Sequence, residues 1–320
     1  MRQSPPTSNK GAALLTVLWL TAALSAIAFS VASTVRGETE RAATSVDDVR
    51  SYYLANGALQ RAMLYMQWGA DYYHPGTPLL SFHFPTGEAV VEFIPETAKL
   101  NINAAKPDDL YRLLVALGAN PAKAGEITAA IVDWRTTSPQ DRPTPFDAFY
   151  LSQSPSFRSP HASFQEIEEL LSVRGITPDM FYGTYERDTQ TPPHLVPRGG
   201  LRDCVSVQGT VDKFDANSAA PALLLAVGLD PGQVAALTER RRQRSFTTPE
   251  ELQAFAHTLG PAGDHLGVGG TTTLTLRATA RLRLPNGALS DMRRTVSAVI
   301  KYLPPGSDAM FHVIRWYDRG

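Results

Sequence analysis

A chain of 320 residues with 43% hydrophobic content is long and apolar enough to bury one or two cores, which excludes intrinsic disorder for the chain as a whole. Its net charge of −1 and pI near 6.7 give no overall attraction to nucleic acid or to an anionic membrane, so partners are to be recognised by shape. The single cysteine, Cys204, excludes an intramolecular disulfide, and stability has to come from packing.

From Gly11 to Val35 there is no charged residue, and the run that opens with Ala12-Ala13-Leu14-Leu15 spans about 25 apolar or small residues, enough to cross a bilayer. Arg2 and Lys10 precede it and no acid does, so the short N-terminus stays cytoplasmic and the chain after Arg36 lies outside, with one span. The alternative is a removable secretory signal ending in a small-residue site such as Ala26-Ile27-Ala28. Against it, the run exceeds the roughly 7–15 apolar residues of such signals and continues into a helical pattern. After Arg36, apolar residues recur at Val46, Val49, Tyr53, Leu59, Ala62, Met63 and Met66, the spacing of an amphipathic helix. No proline falls between Pro6 and Pro75, so one helix from about Ala12 to Trp68 is predicted, roughly 85 Å long, half in the membrane and half packed on a globular domain.

These residues carry a resemblance. A short basic leader ending Lys10-Gly11, an apolar helix starting on Ala12 and the amphipathic continuation resemble type IV pilins and pseudopilins. The resemblance implies that a prepilin peptidase cuts Gly11-Ala12 and that the new N-terminus at Ala12 is methylated. It also implies a glutamate at the fifth mature position, where this chain has Thr16, so one charge pairing between subunits is given up. With that substitution, the stretch from Ala12 to Leu20 is similar to general secretion pathway protein K, a family of large minor pseudopilins of type II secretion.

Further along, Leu79 to Phe84 and Glu88 to Ile94 alternate as strands around Pro85-Thr86-Gly87. The central segment reads as helical and holds two similar stretches. Asn101 to Ala105, Leu110 to Leu117, Gly118 and Pro121 to Arg135 form the first; Phe214 to Ala219, Leu223 to Val227, Gly228 and Pro231 to Arg244 form the second. Each reads as an Asn-initiated helix ended by glycine and followed by a proline-started helix. Ser163 to Glu166 and Thr248 to Glu251 read as capping boxes, and Asp203 to Gln208 and Thr210 to Phe214 as strands. Near the C-terminus, Thr271 to Leu284 has a period of two, Asn286-Gly287 turns the chain into Met292 to Tyr302, and Phe311 to Tyr317 makes a last strand.

The two hairpins resemble helix-hairpin-helix modules, which present backbone amides to a DNA phosphate. Their turns, Leu117-Gly118-Ala119-Asn120 and Val227-Gly228-Leu229-Asp230, lack the second glycine. The basic cluster Arg240, Arg241, Arg242 and Arg244 is equally a solvated helix end, so no nucleic acid is expected. Asp133, Asp141 and Asp147 lie where the resembled family carries an acid-rich loop that can hold calcium. Three carboxylates alone fall short of the six to eight oxygens calcium takes, so a plain loop is the competing reading. No histidine spacing, nucleophile elbow or phosphate loop appears, so an enzyme is not expected and no other cofactor is implied.

The expectation is an α+β, type IV pilin-like fold: a long N-terminal helix on an antiparallel sheet, with a large helical, helix-hairpin-helix-like insertion. Its parts are a leader (1–11), a membrane and filament-core helix (12–35), a pilin-like helix with first strands (36–98), the insertion (99–266) and C-terminal strands (267–320). The resemblance implies a tip subunit of the periplasmic pseudopilus, anchored by one span in the inner membrane with its C-terminal domain periplasmic. Implied partners are the other minor pseudopilins, the prepilin peptidase and the inner-membrane assembly platform, with the subunits met through Val46, Val49, Tyr53, Leu59, Met63 and Met66. A minor pilin of a type IV pilus and a membrane-tethered DNA-binding protein are the alternatives.

Overall fold

The computed structural model describes residues 10–69, 71–73, 77–138, 143–187, 195–270, 272–303 and 307–318, with residues 10–12 described by backbone only. Helix α1 (Lys10–Trp68) runs unbroken for 59 residues, about 88 Å at 1.5 Å per residue. No described residue from 13 to 50 is buried, and this stretch contains a segment long and apolar enough to cross a membrane. From Ser51 onward the helix buries Leu54, Ala55, Ala58, Leu59, Ala62, Met63 and Met66, one face at three-and-four spacing.

That face rests on a five-stranded antiparallel sheet. Strands β1 (Leu79–Phe84) and β2 (Gly87–Pro95) form the hairpin read from the sequence. Between β2 and the strand that pairs with it, the chain makes a long excursion. It passes through β3 (Leu100–Asn101), α2 (Pro107–Ala116), α3 (Pro121–Arg135), α4 (Asp147–Leu151), a 3-10 helix (Ile167–Ser172), α5 (Pro178–Tyr182), β4 (Thr184–Arg187), β5 (Leu195–Arg198), α6 (Leu201–Cys204) and β6 (Val205–Ser206). It continues through β7 (Phe214–Asp215), α7 (Pro221–Ala226), α8 (Pro231–Gln243), α9 (Pro249–Ala256), a second 3-10 stretch (His257–His265) and β8 (Leu266–Gly267). Strands β9 (Thr273–Leu282), β10 (Arg294–Tyr302) and β11 (Phe311–Tyr317) complete the sheet, in the order β1-β2-β9-β10-β11.

Because β2 pairs with β9 from Gly87↔Leu282 to Pro95↔Leu274, the excursion leaves and rejoins the sheet at neighbouring points. It can therefore close on itself, and it does. Leu100 to Leu266 supply one buried cluster, while α1 and the sheet supply another, from Leu54 to Ile300. Small residues on both sides of the second cluster, Ala55, Ala58 and Ala62 against Ala89, Ala278, Ala280 and Ala298, let helix and sheet approach closely. Gly87 shows how closely: a Cβ there would lie 2.2 Å from the Arg281 carbonyl and 2.7 Å from a Leu54 methyl.

The insertion is built twice on one plan. Gly118 and Gly228, at φ of +89° and +107°, end α2 and α7, where glycine alone is unstrained. Asn120 and Asp230 then cap α3 and α8 by accepting from the Lys123 and Gln233 amides at 2.8 and 2.9 Å. The asparagines read as helix starts do something else, for α2 and α7 begin at Pro107 and Pro221. Asn103 donates to the Phe164 carbonyl at 2.9 Å and accepts from its amide at 2.8 Å, and Asn217 grips Phe246 with the same two distances. Arg135 donates to the Ile102 and Ala105 carbonyls, as Arg241 does to those of Ala216 and Ala219.

Three local readings are corrected. Asp203 belongs to α6, and only Val205–Ser206 is strand. The box expected at Ser163 to Glu166 is displaced: Glu169 accepts from the Gln165 and Glu166 amides, which starts the 3-10 helix at Ile167. At the other box, Thr248 caps α9 as expected, while Glu251 reaches back to the Thr247 amide instead of that of Thr248.

Candidate partner-binding site

At 100° per residue, Val46, Val49, Tyr53, Leu64 and Trp68 fall within an arc of about 100° on α1, opposite the buried face. Val46, Tyr53 and Trp68 are 49%, 66% and 57% exposed, and Tyr72 extends the patch beyond the helix end. Tyr65, Trp68 and Tyr72 make ring contacts at 5.1–5.7 Å, and the Arg61 guanidinium lies 5.3 Å from the Tyr65 ring centre. The patch mixes apolar and aromatic residues with exposed Arg50, Gln60 and Gln67 and is edged by Arg61, and aromatic and arginine side chains are among those that dominate protein interfaces.

Leu59, Met63 and Met66, expected to meet partner subunits, are corrected by this geometry. They are buried in the sheet-facing core, Leu59 completely. One three-and-four pattern had pooled two faces of the same helix. Leu64, Trp68 and Tyr72 were missed, and the 100° helical projection separates the first two from the core positions.

Thr16 lies on the exposed apolar part of α1 and brings no carboxylate to it. Lys10, Gly11 and Ala12 are helical by backbone, their side chains and residues 1–9 lying outside the described residues.

The acidic loop assembles differently from a cation cage, and Asp141 lies outside the described residues. The Asp147 carboxylate accepts from the Thr144 amide at 2.7 Å and faces His161 Nε2 at 3.1 Å. Burial raises its pKa, but these bonds outweigh burial and hold it below the usual carboxylate range. Asp133, bonded to the Thr144 hydroxyl at 3.2 Å, is pushed up by burial. His161 Nδ1 meets the Asp133 carbonyl at 3.2 Å, so the imidazole ties the two acidic segments together. Among the described residues no group of three or more His, Cys, Asp or Glu side chains is placed to hold a metal. Among the described residues, the Asp147 carboxylate that calcium would use is already engaged by Thr144 and His161.

The turns read as relatives of DNA-binding hairpins also use their own amides. Asn120 and Asp230 occupy the helix N-termini that a phosphate needs, and each Arg of the basic cluster is engaged. Arg240 and Arg244 face Glu251, Arg242 pairs with Glu239, and Arg241 holds Ala219. Cys204 is buried and its thiol is pushed up to about 12, too high to serve as a nucleophile.

A long helix on an antiparallel sheet, interrupted between two paired strands by a self-contained helical unit, defines a pilin-like fold with a large insertion. Within that class, residues 94–183 match the family model described as "Type II secretion system (T2SS), protein K". The structure is similar to a chain of the GspK-GspI-GspJ complex from the type 2 secretion system of enterotoxigenic Escherichia coli. Identity is 16%, 86% of this chain and 98% of that chain are covered, and the TM-score is 0.51. A search of curated protein sequences finds no match. The recognition made from the N-terminal helix and the insertion agrees with both similarities, to protein K of type II secretion over residues 94–183 and to a pilin-like fold over most of the chain.

Proposed function

We propose that this chain is the tip subunit of the short pseudopilus of a type II secretion system, where it initiates or caps assembly and so supports export of folded proteins across the outer membrane. The observation that carries the reading is the insertion, hung from neighbouring strands β2 and β9 of a pilin-like sheet and matching the protein K family over residues 94–183. A unit with its own core, added to the sheet, leaves no room for a like subunit stacked above it. Thr16 supports the same position, since without a carboxylate it cannot pair with the N-terminal amine of a neighbour.

In this reading α1 anchors the chain in the inner membrane and places the sheet and insertion in the periplasm. Val46, Val49, Tyr53, Leu64 and Trp68 meet smaller minor pseudopilins by helix burial, and the chain acts by binding and not by catalysis. The structural relative is itself part of a complex with two further proteins, GspI and GspJ. Prepilin peptidase and the assembly platform are the further partners proposed. Mass spectrometry of protein from its native membrane tests the assignment. A mature chain beginning at a methylated Ala12 is expected; an intact Met1, or a new end near Ala28, contradicts it.

A further inference from the structure

The chain enters the insertion after β2 and leaves it before β9, and the two crossings are tied to each other. Thr97, on the way out, donates to the carbonyl of Gly269, on the way back, at 2.9 Å. Glu96, buried at the same point, bonds to Lys99, to Ser206 of the insertion and to Thr275 of β9. The joint therefore sits over β2 and β9, and the insertion extends from it across β10 toward β11.

Thr275, Val299 and Arg315 form one row across β9, β10 and β11, on the face turned away from α1. At about 4.8 Å per strand, the row carries the backbone roughly 10 Å from the joint to Arg315. Arg315 faces the insertion because of an irregularity. β11 pairs with β10 at Val313↔Ile300 and at Arg315↔Val299, which leaves Ile314 as the extra residue of a bulge. In a regular ladder Arg315 would stand opposite Ala298 and point toward α1. The bulge turns it outward, where it pairs with Glu166 of the insertion.

Between joint and pair the two units are not packed together. A cleft of about 360 Å³ lies there, bordered by Glu96, Ser206 and Thr275 of the joint as well as by Glu166 and Arg315. Ile167 of the insertion and Val299 of the sheet line it, and neither of the two buried clusters reaches across. The attachments also differ in strength. Breaking the joint would strand buried charges, which is costly. The Glu166 and Arg315 side chains are 37% and 39% exposed, and pairs that water reaches so readily contribute little and are screened by salt.

We propose that the insertion is a body hinged at the Glu96 joint, with Glu166–Arg315 as an ionic latch whose release lets the cleft open. The weaker attachment lies at the far end of the row, so it yields first, and the insertion then tilts on the sheet without unfolding. The longer Arg277–Asp203 contact, at 3.8 Å, starts from β9, on the joint's side of the row.

Double electron–electron resonance on the full chain in detergent tests the latch, with spin labels on Ser163→Cys and His312→Cys, exposed positions close in sequence to Glu166 and Arg315. Cys204 is buried and stays unlabelled. The doubly labelled parent is expected to give mainly one distance. Arg315→Ala, and separately Glu166→Gln, should raise a second, longer distance at least threefold, and the charge swap Glu166→Arg with Arg315→Glu should return it to the parent level. A control pair inside the insertion, Ala122→Cys with Arg187→Cys, keeps one distance throughout. Thermal melting screens every variant for folding, and should one single variant fail it, the other decides. One unchanged distance in all variants, a second distance that the swap does not reverse, or equal broadening of the control pair overturns the proposal. The latch lies within one chain, so its failure is distinct from failure of the pseudopilus assignment.

Discussion

Glu96 sits almost fully buried where β2 gives way to the insertion, bonded to Lys99 at 3.0 Å and to the hydroxyls of Ser206 and Thr275. Burial alone would raise its pKa, but Lys99 and the two hydroxyls outweigh burial and hold it below the ordinary glutamate range. A depressed carboxylate contributes stability above its unfolded pKa, near 4.3, and loses it as pH falls through the folded value. Thermal unfolding between pH 3 and 7 should thus show a loss below about pH 4.3 that is reduced in Glu96→Gln. An identical pH slope in the two proteins would contradict this account of the joint. Glu96→Ala, which leaves the Lys99 ammonium buried without its partner, should cost about 3–5 kcal/mol. The acidic loop gives a second prediction at this scale. A calcium site at hundredfold excess over its dissociation constant would add about 2.7 kcal/mol, several degrees of melting temperature. With Asp147 engaged by Thr144 and His161, chelator should leave the melt unchanged, while Asp147→Asn lowers it with or without calcium. A calcium-dependent rise of several degrees would show that Asp141 and its neighbours complete a site after all.

Among the elements, those set by local chemistry were legible in the sequence. The absence of proline predicted the length of α1, period-two alternation gave β1 and β9 to within two residues, and Phe311–Tyr317 was read to the residue. Gly118 and Gly228 were read as helix ends, and both end their helices at positive φ. Contacts between distant segments were not legible. Asn103 and Asn217 were taken for helix starts because asparagine favours caps. Their partners, Phe164 and Phe246, lie 61 and 29 residues away, and no local pattern connects them. The two faces of α1 were likewise merged, since spacing alone does not say which face the sheet covers. The paired grips make a prediction. Asn103→Ala and Asn217→Ala each strand an amide and a carbonyl of the corresponding Phe, and each should cost about 1–3 kcal/mol. Equilibrium denaturation of both variants measures it. A loss below about 0.5 kcal/mol in either, the size of an ordinary surface substitution, would show that the grip is incidental.

For the whole molecule, the arrangement of two cores on one chain links fold to position. α1 and the sheet bury one cluster and the insertion buries another, and the two join through the Glu96 network, the Arg315–Glu166 pair and the longer Arg277–Asp203 contact at 3.8 Å. A filament subunit must present α1 to its neighbours, and the exposed stripe from Val46 to Trp68 remains available for that on the face away from the sheet. On the proposed function, the added core is what makes such a subunit end a filament instead of extending it. The most direct test is the position of the chain in isolated pseudopili, read by gold labelling of an epitope at Glu186, an exposed residue of β4 in the insertion. The account predicts one label per filament, at an end. Labels spaced regularly along the shaft, or filaments formed by this chain alone, would contradict it.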